Sequence, residues 1–432
     1  QGAGGQADGR GRPGAPRERP EPPSWSRARA LAAGAPRALP RTVLALERAI
    51  GHTLAAPLTA LTDLPSFDTS AMDGWAVSGP GPWELVTGPD GAPAPGLLAG
   101  DRAEPAPLPD GQAVRIATGA RVPPGTSAVL RAEHGELPSA SRLRTTAEAP
   151  QQGADIRPRG QECRTGDGLL PPGTPVTAAV LGLAAAAGYD ELEVVRRPRA
   201  EVLVLGDELL HRGLPKDGRI RDALGPLAAP WLTALGADVT ATRRLGDDPE
   251  ALHEALAGTT ADVVVTTGGT AAGPVDHLRP TLRRLDAELL VHGVRVRPGH
   301  PMLLAALPGG AGSPQDGGPR RRTYLVGLPG NPLAALSGLM TLAAPLLRTL
   351  GGRPGPERER QGVLAEEVHG HPRDTRLVPV VHEGAGVRAR VRPLRYAGPA
   401  MLRGIAGAEA LAVVPPGGSA PGTDVRLLEL PH

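Results

Sequence analysis

The stretch that decides the fold is AEVLVLGDEL, residues 200–209. Its run VLVLG is short and continuously apolar, which is typical of a strand buried on both faces of a sheet. Two similar runs follow, DVVVTT at 262–267 and YLVGL at 324–328, and segments with helical periodicity lie between them. Strands that alternate with helices in this way predict an α/β domain built on a parallel sheet.

Outside this region the composition changes several times, and five segments are expected. They are a disordered tail (1–24), a discontinuous linker domain (25–57 and 147–197), a small β-rich module (58–146), the α/β domain (198–353) and a barrel-like C-terminal β domain (354–432). The tail has almost no apolar residue, so it buries too little surface to fold. In the two β regions, short apolar runs are broken by Gly and Pro, which is typical of short strands.

The linker domain is expected to contain two helices. The pattern turns helical from Trp25 to Leu54, with Val43, Leu44, Leu46, Ile50 and Leu54 spaced for one buried face. In the second segment, Thr177 is placed to cap a helix that ends at Gly188.

Charge and residue usage exclude several classes of protein. The chain has 47 basic and 45 acidic residues, and the net charge of +2 is too small to indicate a polyanionic partner. Aromatic residues make up only 2%, which argues against nucleic-acid binding by base stacking. The single cysteine, Cys163, excludes an intramolecular disulfide and a cysteine-cluster zinc site. No apolar run is long enough to span a membrane, so a cytoplasmic location is expected.

Acidic residues and glycines follow three of the predicted strands, where α/β sheets bind ligands. They are Asp207 and Glu208, then Asp247 and Asp248, then the glycine loop from Gly268 to Gly273 with Asp276 behind it. A glycine turn that leads into a helix can hold phosphate, and carboxylates suit Mg²⁺. Together they predict a nucleotide or phosphorylated ligand with a divalent metal. Each also has a purely structural alternative, namely a helix cap for the aspartates and a tight turn for the glycines.

A second candidate site lies in the β-rich module. The segment SFDTSAMDGWAV (66–77) places Asp73 before Gly74, which suits a tight turn with an exposed carboxylate. In RIATGARVPPGTSAV (115–129), Thr118 and Gly119 either bind an oxyanion or simply end a strand. A plain turn remains the alternative for both segments.

The order of these motifs resembles that of molybdopterin molybdenumtransferases, the molybdenum insertases that include the E domain of gephyrin. The motifs are SFDTSAMDGWAV, RIATGARVPPGTSAV, IRPRGQE, LGDEL, GRIRD, GDDP, TTGGTAAGPVD, RPGHP and GLPGNP. The resemblance runs from about Trp25 to Leu430.

The resemblance implies an enzyme that takes adenylylated molybdopterin, releases AMP with Mg²⁺ present and inserts molybdenum from molybdate. It also implies a homodimer of four-domain subunits, a site formed between two subunits, and contact with the adenylyltransferase of the same pathway. The family's catalytic positions fall on Asp73, Thr118, Glu208 and Asp276, with Glu208 and Asp276 also as metal ligands. Its substrate-binding positions fall on Glu162, Asp247, Gly268, Gly269, Arg297 and His300.

Several family positions are changed in this chain. His300 replaces the lysine of the family's PGKP, Gly293 replaces a second basic residue, and Glu162 stands where Asp is common. Two alternatives to an active insertase therefore stay open. One is a catalytically weakened paralogue that binds molybdopterin or its nucleotide as a carrier or scaffold. The other is a molybdopterin adenylyltransferase, because TTGGT resembles that enzyme too.

Overall fold

The chain divides into two compact units. The structure, a computed structural model, describes residues 21–270, 277–308, 322–353, 355, 360–384 and 390–430. The large unit comprises Gln1–Ala38 and Arg197–His432, and the small unit comprises Leu39–Arg196. The finer division into five segments stays a prediction.

A six-stranded sheet forms the centre of the large unit. In spatial order its strands are Asp238–Leu245, Arg199–Leu205, Val263–Thr267, Thr323–Leu328, Leu303–Leu307 and Glu288–His292. The first four are parallel, whereas Leu303–Leu307 is antiparallel to both neighbours. The predicted α/β domain with a parallel sheet is confirmed, and it contains one reversed strand that the sequence pattern did not reveal.

Helices cover both faces of this sheet. They are Leu224–Ala234, Pro249–Ala257, Leu278–Arg284 and a long helix, Pro332–Gly338 continued by the π-turn Leu339–Ala343 and Ala344–Leu350. Every residue of the strand Val263–Thr267 is buried, and one core cluster joins Leu203, Leu278 and Leu303. Strands buried on both faces need apolar side chains throughout, which explains their continuous apolar runs.

The long helix Pro332–Leu350 is apolar enough to cross a bilayer by length and composition, with a mean hydropathy of 1.5 over its best window. In the structure 89% of that window is buried inside the protein. The helix Trp25–Gly34 packs on it, where the indole N–H of Trp25 donates to Thr341 Oγ1 over 3.0 Å. The contacts of this helix lie in the large unit.

The C-terminal part of the large unit is a closed five-stranded barrel, as predicted. Its strands in order are Thr375–Glu383, Arg390–Pro393, Arg360–Leu364, Asp424–Glu429 and Ala410–Val414, and the last pairs again with the first. The remaining elements of this unit are the short pairs Leu209–Leu210 with Ile220–Arg221 and Val368–His369 with Gly418–Ser419, the strand Val296–Arg297 and the helix Leu402–Ala406. Val296–Arg297 pairs with the first barrel strand and so links the barrel to the sheet.

The small unit is built mainly on a second six-stranded sheet. Its strands in order are Ala128–Arg131, Gly74–Val77, Gln112–Ile116, Trp83–Leu85, Arg142–Thr145 and Gly135–Ser139. Beside it lie the three-stranded sheet Arg41–Ala45, Glu191–Val195 and Thr53–Leu54, the pairs Leu58–Thr59 with Gly168–Leu170 and Thr69–Ser70 with Ile156–Arg157, the 3₁₀ turn Ala132–His134 and the helix Ala178–Ala186. Thr177 caps that helix, as predicted, by accepting from the N–H of Val180.

The helical pattern predicted from Trp25 to Leu54 is confirmed for the helix Trp25–Gly34, but the buried helix face predicted over residues 43–54 is wrong. The segment forms the strand Arg41–Ala45, a one-turn helix Leu46–Ala49 and the strand Thr53–Leu54. Val43 is 59% exposed and Ile50 is 52% exposed, so they do not share a buried face. Arg41–Ala45 pairs with Glu191–Val195, and this distant strand overrides the local periodicity.

The buried strand Arg199–Leu205 should dominate the stability of the large unit. Leu203 is fully buried, so Leu203→Ala is expected to lower the free energy of unfolding by about 2–5 kcal/mol through the cavity it leaves. Leu214 is 85% exposed, and the same substitution there should stay within about 0.5 kcal/mol. Hydrogen exchange of peptides from the central sheet measures the change in the free energy of unfolding in both variants. Equal effects at the two leucines would contradict the burial that the structure shows.

Candidate functional site

The carboxyl ends of the parallel strands meet at one edge of the sheet in the large unit. Leu205 lies beside Leu245 in register, Thr267 lies beside Leu328, and Val204 lies beside Thr267. After the strand Arg199–Leu205, the chain forms the edge strand Asp238–Leu245 on one side of it. The next strand, Val263–Thr267, pairs with Arg199–Leu205 on the opposite side. The loops after Leu205 and Thr267 therefore border a topological switch point, where open α/β sheets bind ligands.

The two aspartates at 247–248 have different roles, one at the start of the helix and one at the strand end. Asp248 is the N-cap of Pro249–Ala257, and its Oδ1 accepts from the N–H groups of Glu250 and Ala251 over 2.9 and 3.3 Å. Asp247 turns the other way, and its Oδ2 accepts from the N–H of Asp207 over 3.4 Å. The capping alternative is therefore right for Asp248, while Asp247 joins the candidate site.

Two glycines make room for carboxylates at these strand ends. Gly206 has φ +124°, and a Cβ on it would lie 2.4 Å from Oε2 of Glu208. A Cβ on Gly246 would lie 2.5 Å from Oδ1 of Asp207. Both carboxylates are exposed, and within the part of the chain that the structure describes the Glu208 carboxylate accepts no hydrogen bond. It is consequently open to a ligand.

The donor chemistry of this edge suits Mg²⁺, which binds oxygen and commonly takes one or two protein carboxylates with phosphates and waters. Glu208 and Asp247 supply such oxygens. The other predicted ligand, Asp276, lies in 271–276, outside the described residues. Among the residues that are described, no three acidic, histidine or cysteine side chains form a cluster that would hold a metal alone. A site completed by the substrate's phosphates is the arrangement that these groups support.

The glycine pair after the third strand forms a turn that only glycine adopts easily. Gly268 and Gly269 have φ of +85° and +69°, and Gly269 packs against Leu205 across the switch point. The N–H of Gly268 donates to the carbonyl of Leu328 over 2.9 Å, so it is not available to a phosphate. Thr267 was not predicted from the sequence, and its buried hydroxyl has no partner in the described ranges. The signal for it was the second Thr of TTGG.

Arg297 and His300 both have partners within the protein. Arg297 Nε donates to the buried carboxylate of Asp374 over 2.8 Å and so ties the loop to the barrel. His300 Nδ1 lies 2.8 Å from the carbonyl of Val294. Because a carbonyl only accepts, Nδ1 carries hydrogen, and Nε2 of the neutral ring offers a lone pair. An oxyanion would thus meet a donor at Nε2 only when the ring is protonated.

The small unit holds the second group of predicted residues. Asp73 Oδ1 accepts from the N–H of Thr118 over 2.7 Å and from its hydroxyl over 3.0 Å. The backbone N–H, then the hydroxyl, and finally the positive charge of Arg115 hold the pKa of Asp73 below its ordinary value. Both residues are exposed, although Gly74 and Ile116 beside them are buried in paired strands. Asp73 and Thr118 are 45 residues apart in sequence, and the pairing of the strands Gly74–Val77 and Gln112–Ile116 brings them together.

Glu162 lies on another loop of the small unit, where its N–H donates to the carbonyl of Leu64 and its side chain is exposed. Near the same loop is Asp63, which the sequence motifs do not single out. Asp63 accepts from the N–H and hydroxyl of Thr165 and from Nε of Arg159. The Thr165 N–H above all, then Arg159 and the hydroxyl, lower the pKa of Asp63 from 3.8 to about 2.

Comparison with known proteins identifies the class of this fold and site. Three family models match the chain: the MoeA N-terminal region (domain I and II) at residues 24–188, the probable molybdopterin binding domain at 201–349 and the MoeA C-terminal region (domain IV) at 361–430. They define a multidomain protein of molybdenum cofactor biosynthesis. The second model covers the strand-end acids, and the first covers Asp73 and Thr118.

Relatives and a solved structure agree with this class. A molybdopterin molybdenumtransferase of Nostoc sp. is 32% identical over 90% of this chain and 88% of its own. Molybdopterin molybdenumtransferase 2 of Mycobacterium tuberculosis is 36% identical over 75% and 78%. The molybdopterin biosynthesis MoeA protein of Pyrococcus horikoshii OT3 shares the fold, with a TM-score of 0.70, 20% identity and coverage of 94% and 99%. This chain belongs to the molybdopterin molybdenumtransferase family, a family of transferases, which confirms the resemblance seen in the motifs.

Asp63 should make the small unit sensitive to acid. Its pKa is lowered in the folded protein, so its contribution to stability is complete above pH 3.8 and disappears as the pH falls through about 2. Asp63→Asn should therefore lower the thermal midpoint at neutral pH and match the wild type near pH 2. Asp90→Asn, in an exposed turn of the same unit, gives the baseline for losing one charge. A difference that persists unchanged to pH 2 would contradict this role.

Proposed function

We propose that this protein inserts molybdenum from molybdate into adenylylated molybdopterin, in a reaction that requires Mg²⁺ and releases AMP. The observation that carries the proposal is that Glu208, Asp247 and the Gly268–Gly269 turn follow neighbouring strand ends at one switch point of the sheet in the large unit. Family membership supports it independently. As a biosynthetic enzyme acting on small molecules, the protein is proposed to work in the cytoplasm and as a homodimer.

The strand-end residues would act on the adenylyl phosphate. Cleavage adds one water across the P–O–P bond between AMP and the phosphate of molybdopterin, which leaves two phosphate groups and releases a proton. Glu208, with Asp276, would hold Mg²⁺, whose charge neutralises the phosphate oxygens. The N–H of Gly269 and the buried hydroxyl of Thr267 would donate to the same phosphates. Asp247 would hold the loop after Leu245 beside the loop after Leu205, through the hydrogen bond that it accepts from the N–H of Asp207.

Asp73 would act on the organic part of the substrate. Its lowered pKa keeps the carboxylate ionised at neutral pH, which makes it a hydrogen-bond acceptor and a poor proton acceptor. Direct contact with molybdate brings like charges together and is unfavourable. We therefore assign Asp73 to the N–H or S–H donors of molybdopterin, with Thr118 fixing the carboxylate. Glu162 is proposed to contact substrate from its neighbouring loop.

Arg297 and His300 are proposed as the molybdate contacts. The side chain of Arg297 is half exposed, so its terminal nitrogens remain accessible while Nε holds Asp374. His300 would contribute through Nε2 in its protonated form. This is a weaker anion site than one built from lysines, whose charge is permanent at neutral pH.

Loss of the Glu208 charge should abolish most of the proposed reaction. We expect Glu208→Gln to slow AMP release by about 10²-fold or more, because an electrostatic group at the reacting phosphate is removed. The assay supplies adenylylated molybdopterin, molybdate and Mg²⁺, and a known insertase is the positive control. Glu254→Gln, on an exposed face of the helix Pro249–Ala257, is the matched control and should retain full activity. A wild-type protein that releases no AMP would overturn the proposal.

Arg297 and His300 each already have a hydrogen-bond partner within the protein, and this favours a second candidate function. With one guanidinium nitrogen held by Asp374 and Nδ1 held by Val294, the anion site is poorer in free donors than a pair of lysines. A chain of this kind would bind molybdopterin or its nucleotide as a carrier without turnover.

Substitution of His300 separates the two functions. For an insertase, His300→Lys should lower the molybdate concentration that gives half-maximal AMP release, because a permanent cation replaces an imidazole. His253→Lys, on the helix Pro249–Ala257, should change nothing. Tight ligand binding without turnover in the wild type, with turnover gained only in His300→Lys, would establish the carrier. Consumption of ATP with free molybdopterin would instead indicate the adenylyltransferase.

A further inference from the structure

Four consecutive carbonyls around Glu208 accept hydrogen bonds from one segment of chain. Arg219 Nε donates to the carbonyl of Asp207 over 3.2 Å, and its Nη2 donates to the carbonyl of Leu209 over 3.3 Å. Between them, the N–H of Ile220 donates to the carbonyl of Glu208 itself over 2.9 Å. The N–H of Asp222 then donates to Leu210. The turn that carries Glu208 is thereby fixed on both sides of its Cα.

The position of Arg219 follows from a tight turn just before it. Its N–H donates to the carbonyl of Lys216 over 3.0 Å, and the two central residues, Asp217 and Gly218, have φ of +55° and +74°. Both lie in the left-handed region, which Asp and Gly tolerate best. This turn directs residues 219–222 along the loop after the first sheet strand.

We propose that Arg219 is a positioning residue for Glu208 in the family's reaction. Its two-pronged contact with the carbonyls of Asp207 and Leu209 holds the backbone of residue 208 rigid. Gly206 meanwhile leaves the space that the carboxylate occupies. This inference rests on the proposed function for its catalytic consequence, but the backbone contact itself does not.

If Arg219 positions Glu208, removing Arg219 should weaken metal binding, whereas the loss of its positive charge alone would strengthen it. Coulomb repulsion between a guanidinium and a nearby cation weakens metal binding, so removing Arg219 would strengthen it if charge were all that mattered. Positioning predicts the reverse, because a mobile Glu208 binds a metal less well. Residues that orient metal ligands typically change affinity by about 10–100-fold when they are lost.

The test compares Arg219→Met with Arg219→Lys, and uses Arg221→Met as the control. Arg221 lies two residues along, is exposed and has no hydrogen-bond partner among the described side chains. Mn²⁺ binding is measured by electron paramagnetic resonance of the free ion with saturating AMP present, because the described residues do not form a cluster that would hold the metal alone. We expect Arg219→Met to raise the Mn²⁺ dissociation constant about tenfold, Arg219→Lys to raise it less, and Arg221→Met to leave it unchanged. An unchanged or lower dissociation constant in Arg219→Met would overturn the proposal.

Hydrogen exchange and kinetics provide the second readout. In Arg219→Met the amides of Ile220 and Asp222 should exchange about tenfold faster, while the thermal midpoint is unchanged. In the AMP assay the same variant should lower kcat and leave the KM for molybdate alone. If the wild type releases no AMP, the proposed function fails while exchange and Mn²⁺ binding still decide the role of Arg219. Exchange equal to that of Arg221→Met would refute it.

Discussion

The parallel register of four strands is the constraint on which the rest of the large unit depends. Because Leu205 lies beside Leu245, and Thr267 beside Leu328, the loops that follow them leave the sheet at one edge. Polar groups separated by 20 to 60 residues in sequence are thereby brought together, and the N–H of Asp207 donates to Asp247 Oδ2 between two of the loops. A shift of one residue would move one loop by about 3.3 Å along the edge relative to its neighbour, so the strand register fixes the site's geometry.

Much of this arrangement can be predicted from sequence because it follows from local patterns. Continuously apolar runs predict buried parallel strands, and acids after them are thereby placed at the ligand-binding edge. What cannot be predicted is the direction of a side chain where two identical residues are adjacent. Asp247 and Asp248 have the same chemistry, and only the start of the helix at Pro249 decides that the second one caps it.

Long-range pairing accounts for the remaining differences. Arg297 appears in sequence as a free cation, whereas its carboxylate partner Asp374 is 77 residues away in the barrel. Residues 43–54 show helical spacing, yet a strand 150 residues later pairs with part of them. In both cases the partner residues are visible in the sequence, but nothing in the local pattern indicates that they pair. The same reasoning explains why Asp73 and Thr118, each selected from its own motif, were not predicted to contact each other.

The strand-end carboxylates, Glu208 foremost, are proposed to hold a divalent metal beside a nucleotide phosphate. Crystals grown with Mn²⁺ and AMP test it most directly, through the anomalous scattering of manganese. We expect a manganese peak within bonding distance of the Glu208 carboxylate, with the AMP phosphate as a further ligand at the Gly268–Gly269 turn. Manganese and AMP bound elsewhere in the protein, with Glu208 left facing solvent, would contradict it.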